Sequence, residues 1–273
     1  MHTVKAALEE LMLSMDRTDA VVIMSEVLGV NRAWIAANPM KILSETQDAR
    51  IDMLAAQRAM GRPVAYLLNR REFYGRDFAL DSSVLIPRPE TETLVEAALA
   101  RMAPKDTCLD LGTGSGAVAV TIACQRPESR VVATDTHEAA LRVARANAER
   151  HHCAERIEFL KGSWYAALGS RQFDVIVSNP PYVAADDPHL GRGDLRFEPR
   201  EALTDGSRDG LDSIRAIIAG ASDHLKKGGW LLVEHGYDQA EAVHALLEAA
   251  GFGSIVSISD LAGIQRVAGG KII

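Results

Sequence analysis

A strand that ends abruptly is encoded in the middle of the chain by Phe173-Asp174-Val175-Ile176-Val177-Ser178-Asn179-Pro180-Pro181-Tyr182. Its first six residues are mostly aromatic, β-branched or apolar, which is typical of a strand buried on both faces of a parallel sheet. The two prolines end it, because proline has no N–H to donate to a neighbouring strand. Further strands are predicted over 107–111, 130–135, 157–160, 230–234, 254–259 and 266–272, and helices over 117–124, 138–150, 211–225 and 239–250. This alternation predicts an α/β fold with a mostly parallel sheet and helices on both faces.

The turn Asn179-Pro180-Pro181-Tyr182 places chemistry at the carboxyl end of this strand, where open α/β sheets bind ligands. The side chain of Asn179 and the backbone carbonyl of Pro180 each offer an acceptor oxygen, and Tyr182 offers a flat ring. A planar NH2 group is held by such an arrangement, with one oxygen for each hydrogen and a ring against its face. We therefore predict that Asn179, Pro180 and Tyr182 are catalytic, and that all four residues of the turn bind the substrate. The alternative is an ordinary turn that only terminates the strand.

A glycine-rich loop joins the strand over 107–111 to the helix that follows it. The loop is Asp110-Leu111-Gly112-Thr113-Gly114-Ser115-Gly116. Glycines let the backbone approach a ligand closely, and the start of the helix presents N–H groups to it. Asp135 closes the next strand, at a position where a carboxylate can hold both hydroxyls of a ribose. Together, the loop and Asp135 predict a nucleoside-binding site.

S-adenosylmethionine fits this site better than a dinucleotide does. The dinucleotide motif is Gly-x-Gly-x-x-Gly, whereas the third glycine of this loop, Gly116, arrives one residue early. Asp110 would repel a pyrophosphate, but it suits the sulfonium and amino-acid end of S-adenosylmethionine, which carries no phosphate. Trp164 follows the next strand, where an adenine ring can rest; the alternative for Trp164 is a place in the core.

The two halves of the site predict methyl transfer to a weakly nucleophilic nitrogen, because the lone pair of an amide or exocyclic amine is delocalised. If Asn179 and Pro180 accept both N–H groups, they favour the pyramidal nitrogen that forms as the methyl arrives. This stabilises the transition state rather than the ground state. The sequence shows no dedicated base, so we expect the proton to leave to water.

The chain is predicted to divide into three parts. Residues 1–70 are expected to be helical, with a capping box over Ser44-Glu45-Thr46-Gln47 starting one of the helices. Two short strands around Gly75 predict a β-hairpin within the linker 71–90. The remainder, 91–273, is predicted to be the methyltransferase domain.

A rigid, charged segment, Pro87-Arg88-Pro89-Glu90-Thr91-Glu92, leads into the α/β region. Few purely structural roles require a segment that is both rigid and charged, so a functional role is one interpretation. The structural interpretation is a linker stiffened by proline, with Thr91 or Glu90 capping the next helix.

The composition is that of a globular protein with 273 residues, of which 47% are hydrophobic and 25% charged. A net charge of −7 disfavours a broad phosphate-binding surface. The cysteines Cys108, Cys124 and Cys153 form no CxxC pair, so neither a disulfide framework nor a metal site is predicted. Glu9 and Glu10 are unlike a signal peptide, and no apolar run reaches membrane-spanning length, so we expect a cytoplasmic protein.

Four motifs together resemble the PrmC (HemK) family of release factor glutamine methyltransferases. They are Gly61-Arg62-Pro63-Val64-Ala65-Tyr66, the segment from Pro87 to Glu92, the loop from Asp110 to Gly116 and the turn from Asn179 to Tyr182, and the resemblance extends to Asp187-Pro188-His189-Leu190 and Arg196-Phe197-Glu198-Pro199. The resemblance implies a Rossmann-like class I methyltransferase that uses S-adenosylmethionine, with a small N-terminal helical domain. It also implies that the methyl acceptor is the glutamine side-chain amide in the Gly-Gly-Gln loop of a class I peptide chain release factor.

The same resemblance implies roles for individual residues. Asn179 and Pro180 would grip the glutamine amide while Tyr182 shapes the pocket. The expected contacts of the methyl donor are Asp110, Gly112, Thr113, Gly114, Ser115, Gly116, Asp135, Trp164 and Asn179. Arg88 and Glu90 are expected substrate contacts, because their segment borders the cleft. Ser163 stands where the family often has an acid beside the adenine, so Ser163 is not included among the expected contacts, and whether it touches the adenine stays open.

The N-terminal helices are expected to dock the protein substrate, because a protein-sized partner needs more surface than a cleft provides. We expect a monomer that contacts neither membrane nor nucleic acid directly. Three alternatives remain open at this level: a methyltransferase of adenine or guanine in nucleic acid, a regulatory module that only binds S-adenosylmethionine, and a nicotinamide dehydrogenase.

Overall fold

The computed structural model describes residues 2–272 as two compact units. The first unit contains the chain up to Arg70 and, in addition, the later segment Arg192–Phe197. The second unit contains Arg71–Gly191 and everything from Glu198 onward. None of the helices in the described part of the chain combines the length and the apolar composition that crossing a lipid bilayer requires.

The first unit is helical, as predicted. Its helices are α1 (Val4–Leu11), α2 (Arg17–Leu28), α3 (Arg32–Ala37), α4 (Glu45–Ala59) and α5 (Val64–Leu67). The predicted capping box starts α4, where the Ser44 side chain and the Gln47 side chain each bond the other residue's backbone N–H. Gly29 ends α2 in the left-handed conformation, with φ of 65°. Apolar side chains from all five helices pack into one core, among them Leu11, Ile23, Ile35 and Leu54.

Arg58 holds the segment Arg192–Phe197 within the first unit. Its Nη1 donates to Asp194 at 2.7 Å and its Nε donates to Asp19 at 2.9 Å. Within the segment itself, Arg196 donates to the carbonyl of Met60 at 3.0 Å. The helical unit therefore binds a part of the chain that lies more than one hundred residues later in the sequence.

The predicted hairpin consists of β1 (Arg70–Phe73) and β2 (Arg76–Ala79). Its turn residues Tyr74 and Gly75 both have positive φ, 53° and 71°, as a two-residue turn between twisted strands requires. After the hairpin, a 3-10 turn (Pro89–Thr91) leads into α6 (Glu92–Leu99). The side chain of Thr91 makes no capping bond to this helix, so the predicted capping role is wrong.

A seven-stranded sheet forms the centre of the second unit. Its strands are β3 (Thr107–Leu111), β4 (Arg130–Asp135), β5 (Ile157–Lys161), β6 (Phe173–Ser178), β7 (Leu225–Glu234), β8 (Gly253–Ser259) and β9 (Gln265–Lys271). They lie in the order β5-β4-β3-β6-β7-β9-β8. The pairs from β5 to β7 are parallel and the two pairs made by β9 are antiparallel, which confirms the mostly parallel α/β sheet.

Strand β7 starts at Leu225, five residues before the predicted start at 230. The sequence there, Lys226-Lys227-Gly228-Gly229, has the polar and glycine content of a turn, but the register against β6 shifts between Phe173 and Val175, and the strand continues through this irregularity. A side chain at Gly229 would come within 2.9 Å of the carbonyl oxygen of Asp174, so only glycine lets the strands approach.

Helices cover both faces of the sheet, because each inner strand is apolar on both sides. They are α6, α7 (Ala117–Gln125), α8 (Glu138–Arg150), α9 (Asp212–His224) and α10 (Ala240–Ala249). Val175 and Val177 of β6 pack with α6 and α7 on one face, whereas Ile176 packs with α9 and α10 on the other. The alternation of buried side chains along β6 therefore fixes the strand at the centre of the unit.

Candidate active site

A cleft of about 370 Å³ lies at the carboxyl ends of the central strands. Nine residues predicted from the sequence line it: Asp110, Gly112, Thr113, Gly114, Ser115, Asp135, Trp164, Asn179 and Pro181. They come from the ends of β3, β4, β5 and β6 and from the loops that follow. The order of strands thus brings the glycine loop and the Asn-Pro-Pro-Tyr turn to one cleft.

The glycine loop forms one wall of the cleft. The N–H groups of Gly112 and Thr113 both donate to the carbonyl of Thr134 at 2.9 Å, which holds the loop against β4. Gly116, at the start of α7, has φ of 80°, and a Cβ there would lie 3.0 Å from the Cβ of Ala144. Only glycine therefore allows α7 and α8 to pack this closely beneath the loop.

Two carboxylates face the cleft in different environments. Asp110 is 1% exposed and accepts a hydrogen bond from the Thr113 hydroxyl at 2.7 Å; burial raises its pKa to about 6. Asp135 accepts hydrogen bonds from the N–H groups of Gly114, at 3.0 Å, and His137, at 2.9 Å. The Asp135 carboxylate thus bridges the glycine loop and the turn before α8, at the edge of the cleft.

These residues fit the nucleoside end of S-adenosylmethionine. The glycine loop forms a wall of backbone that a ligand can approach closely. Asp135 lies at the end of β4, and the aromatic ring of Trp164 lies beside the loop. Trp164 adopts a φ of 46°, uncommon for a large side chain, and its ring lies 3.5 Å from where a Cβ on Gly112 would stand. Asp135 and Trp164 both line this cleft, and their roles in holding a ribose and an adenine stay predictions.

Asn179 is half-buried at the floor of the cleft. Its Nδ2 donates to the hydroxyl oxygen of Thr91 at 3.1 Å. Its Oδ1 accepts no hydrogen bond from any residue between 2 and 272. The amide oxygen that the sequence assigned to substrate is therefore available.

Five predicted site residues do not line the cleft. Gly116 packs under the loop, as described, and Pro180, which follows Asn179 in the chain, is buried. The Tyr182 hydroxyl donates to Oε1 of Glu234 at 3.2 Å, and burial raises the pKa of this phenol. Arg88 forms an ion pair with the buried Glu198, and Glu90 is half-buried in the 3-10 turn. The roles of these five residues in catalysis or binding stay predictions.

Three residues that sequence reasoning missed hold the site in place. Asn147 of α8 donates to the carbonyl of Ser115 at 2.8 Å and pairs with the backbone of Ala79, so it joins the glycine loop to the hairpin. Gln239 donates to the carbonyl of Tyr182 at 3.0 Å. Glu234 ends β7 directly beside the turn. Of these three residues, only Glu234 is marked in the sequence, because it is an acid at the predicted carboxyl end of a central strand.

Glu234 is fully buried, and burial raises the pKa of its carboxyl from 4.5 to about 7. Between these values the folded state keeps a proton that the unfolded chain has lost, so a rise in pH through this window destabilises the fold. We expect Glu234→Gln to remove this effect. Urea denaturation measures the free energy of unfolding of both proteins. The value for Glu234→Gln minus the value for the unsubstituted protein should increase by about 3 kcal/mol between a pH below 4.5 and a pH above 7.

The matched control for this prediction is Glu241→Gln, which makes the same change at an exposed position of α10. Its stability relative to the unsubstituted protein should not change across the same range. If the stability of Glu234→Gln relative to the unsubstituted protein also does not change with pH, the Glu234 carboxyl ionises in the folded state as freely as in water.

Comparison with known families gives two matches along the chain. The PrmC N-terminal domain matches residues 1–68, and the methyltransferase small domain matches residues 89–191. Among similar proteins are release factor glutamine methyltransferases from Xylella fastidiosa (strain Temecula1), 48% identical over 94% of this chain and 93% of the relative, and from Bordetella pertussis, 49% identical over 94% and 95%. The corresponding protein of Neisseria gonorrhoeae is 54% identical over 81% of both chains.

Solved structures show the same fold. A methyltransferase from Pyrococcus furiosus is similar with a TM-score of 0.55 and 19% identity, over 79% of this chain and 96% of that one. A Thermus thermophilus 16S rRNA N2 G1207 methyltransferase, solved with its methyl donor and guanosine, is similar with a TM-score of 0.53 and 22% identity, over 75% of this chain and 50% of that one. At these identities the likeness concerns the fold alone, and it confirms the class I methyltransferase architecture.

Proposed function

The chain belongs to the release factor glutamine methyltransferase family, and we propose that it methylates the side-chain amide nitrogen of the glutamine in the Gly-Gly-Gln loop of a class I peptide chain release factor. The enzyme depends on S-adenosylmethionine, which supplies a methyl carbon activated by the positive sulfonium. The observation that supports an NH2 group as the methyl acceptor is the free Oδ1 of Asn179 in the cleft that the glycine loop also lines, and the relatives support glutamine as the residue that carries this group.

The chain's own residues supply positioning and hydrogen-bond acceptance. Asn179 Oδ1 and the Pro180 carbonyl accept the two hydrogens of the glutamine amide and orient its nitrogen toward the glycine loop. As the nitrogen becomes pyramidal and positively charged, its hydrogens are held more strongly, so these contacts favour the transition state. Asp135 and Trp164 fix the nucleoside end of the donor, which aligns the two reacting atoms.

The direct test is transfer of label from radioactive S-adenosylmethionine to a purified class I release factor or to total RNA. We expect label in the release factor and none in a variant of that factor whose loop glutamine is replaced by alanine. Label in RNA instead would identify a nucleic-acid methyltransferase, and label in neither would favour a module that only binds the donor.

The helical unit is proposed to dock the release factor. It exposes several large apolar side chains, with Leu13 at 87%, Met40 at 72% and Met60 at 67% exposed. Flexible methionines on a surface adapt to an irregular partner. We also propose that the enzyme acts as a monomer and that it makes no nucleic-acid contact of its own. Its proposed location is the cytoplasm, where translation terminates.

We expect Met40→Asp combined with Met60→Asp to lower kcat/KM for the intact release factor by about thirtyfold, the scale of losing one interface hot spot of about 2 kcal/mol. Affinity for S-adenosylmethionine should be unchanged, because the donor cleft lies in the other unit. The matched control is Leu261→Asp, which charges a fully exposed apolar residue of the second unit. An unchanged kcat/KM in the double variant would argue that the release factor docks elsewhere.

A further inference from the structure

A buried carboxylate lies behind the Asn-Pro-Pro-Tyr turn. Val233 of β7 pairs with Ser178 of β6, so the residues that follow them, Glu234 and Asn179, end neighbouring strands at the same level. Glu234 is 1% exposed, and its Oε1 accepts the hydrogen bond of the Tyr182 phenol. Its Oε2 is buried and has no hydrogen-bond partner at ordinary distance among residues 2–272. At a pH above the Glu234 pKa of about 7, the carboxyl is ionised, and this buried oxygen is then a strong acceptor for any nearby rotatable hydroxyl.

Thr91 is that hydroxyl. It is 4% exposed, and it lies close enough to Glu234 to lower the pKa of the carboxyl by favouring its charged form. A threonine hydroxyl has one hydrogen, which rotates, and lone pairs that accept. When the carboxylate attracts the hydrogen, only the lone pairs remain for Asn179, and only Nδ2 of Asn179 can donate to them. The observed contact from Nδ2 to the Thr91 oxygen, at 3.1 Å, is this arrangement.

We propose that Thr91, backed by Glu234, is a positioning residue that fixes the orientation of the Asn179 amide so that its oxygen, not its NH2 group, faces the substrate. This inference rests on the proposed function, because it concerns how that function's acceptor is held. If the Asn179 side-chain amide were rotated by half a turn, its NH2 group would face the NH2 group of the glutamine. Both groups are hydrogen-bond donors. The site would then repel the group that it must bind.

The role explains why the Thr91 side chain makes no capping bond to α6, although Thr91 stands at the N-cap position just before that helix. Its hydroxyl is engaged across the sheet with the end of β6 instead. It also explains why a carboxylate is kept buried beside Glu90, whose charge raises the pKa of Glu234 further. The positive charge of Arg266 in β9 acts against this and lowers the pKa of Glu234.

The first test compares Thr91→Val with Thr91→Ser at a pH above 7, where the Glu234 carboxyl is ionised. Valine keeps the shape and removes the hydroxyl, and we expect kcat for release factor methylation to fall by about tenfold or more with little change in KM or in donor affinity. Serine keeps the hydroxyl and should restore most of kcat. The matched control is Thr121→Val, which removes an equally buried hydroxyl that bonds within α7. It should leave kcat unchanged.

The contribution of Glu234 is tested in a double-mutant cycle. If the carboxylate acts through Thr91, Glu234→Gln should lower kcat less in the Thr91→Val background than in the unsubstituted enzyme. Equal losses in both backgrounds would show that Glu234 acts independently of Thr91 and would overturn that part of the proposal.

A readout that needs no catalysis is the side-chain NH2 signal of Asn179 in protein labelled with 15N at asparagine. The signal is assigned by its disappearance in Asn179→Asp. Its hydrogens should exchange with water faster in Thr91→Val than in the unsubstituted protein, and at the original rate in Thr91→Ser. Exchange and kcat that are both unaffected in a folded Thr91→Val variant would overturn the positioning role. Absence of release factor methylation by the unsubstituted protein, with the exchange results as expected, would overturn the proposed function and not the orientation of Asn179.

Discussion

Asn179→Ala is expected to lower kcat by a factor of about one hundred, equivalent to about 3 kcal/mol of transition-state stabilisation. The substitution removes one of the two oxygens that accept the glutamine hydrogens and leaves the nitrogen free to rotate. Stopped-assay kinetics with a purified release factor measure kcat. Affinity for S-adenosylhomocysteine, from calorimetry, should change far less, because the nucleoside end is held by other residues.

The control for this prediction is Asn38→Ala, which truncates the same side chain at the end of α3 in the helical unit. Thermal unfolding of both variants should show that each remains folded. Turnover near that of the unsubstituted enzyme in Asn179→Ala would remove the side-chain oxygen from the mechanism and leave the Pro180 carbonyl as the sole acceptor.

Asp135→Ala is expected to weaken binding of S-adenosylhomocysteine by about ten- to one-hundredfold. A hydrogen bond to a charged group is worth about 1.5–3 kcal/mol, and we propose that the two ribose hydroxyls both bind this carboxylate. The same carboxylate also accepts the N–H groups of Gly114 and His137, so its loss loosens the wall of the cleft. Isothermal titration calorimetry measures the change directly.

A matched comparison is available three residues later in Glu138, which is exposed in the first turn of α8 and pairs with Arg145. Glu138→Ala removes the same charge from the same region and should leave the affinity within about twofold. Equal loss in both variants would mean that general electrostatic attraction, not contact with the ribose, explains the effect of Asp135.

Most of the fold follows from local patterns. The buried run of β6, the glycine loop and Asp135 each signal their place at the carboxyl end of a parallel strand, and the structure brings them to one cleft. These features depend on residues that are close in sequence, so the chain shows them directly. The early start of β7 was missed because its Lys-Lys-Gly-Gly segment has the composition of a turn.

Contacts between distant parts of the chain could not be read in this way. Thr91 resembles a helix cap in sequence, and its actual partner, Asn179, lies 88 residues away. The place of Glu234 behind the turn depends on β7 lying next to β6, which no local pattern encodes. The association of Arg192–Phe197 with the helical unit likewise rests on the Arg58–Asp194 pair, whose partners are 136 residues apart.

The central claim is that two oxygens at the end of β6 hold the glutamine amide while its nitrogen is methylated. The most direct measurement is a crystal structure of the enzyme with S-adenosylhomocysteine and a peptide that contains Gly-Gly-Gln. We predict that Asn179 Oδ1 and the Pro180 carbonyl oxygen both lie within hydrogen-bond distance of the amide nitrogen, with that nitrogen facing the sulfur. An amide bound elsewhere, or Asn179 turned into the protein interior, would contradict the claim.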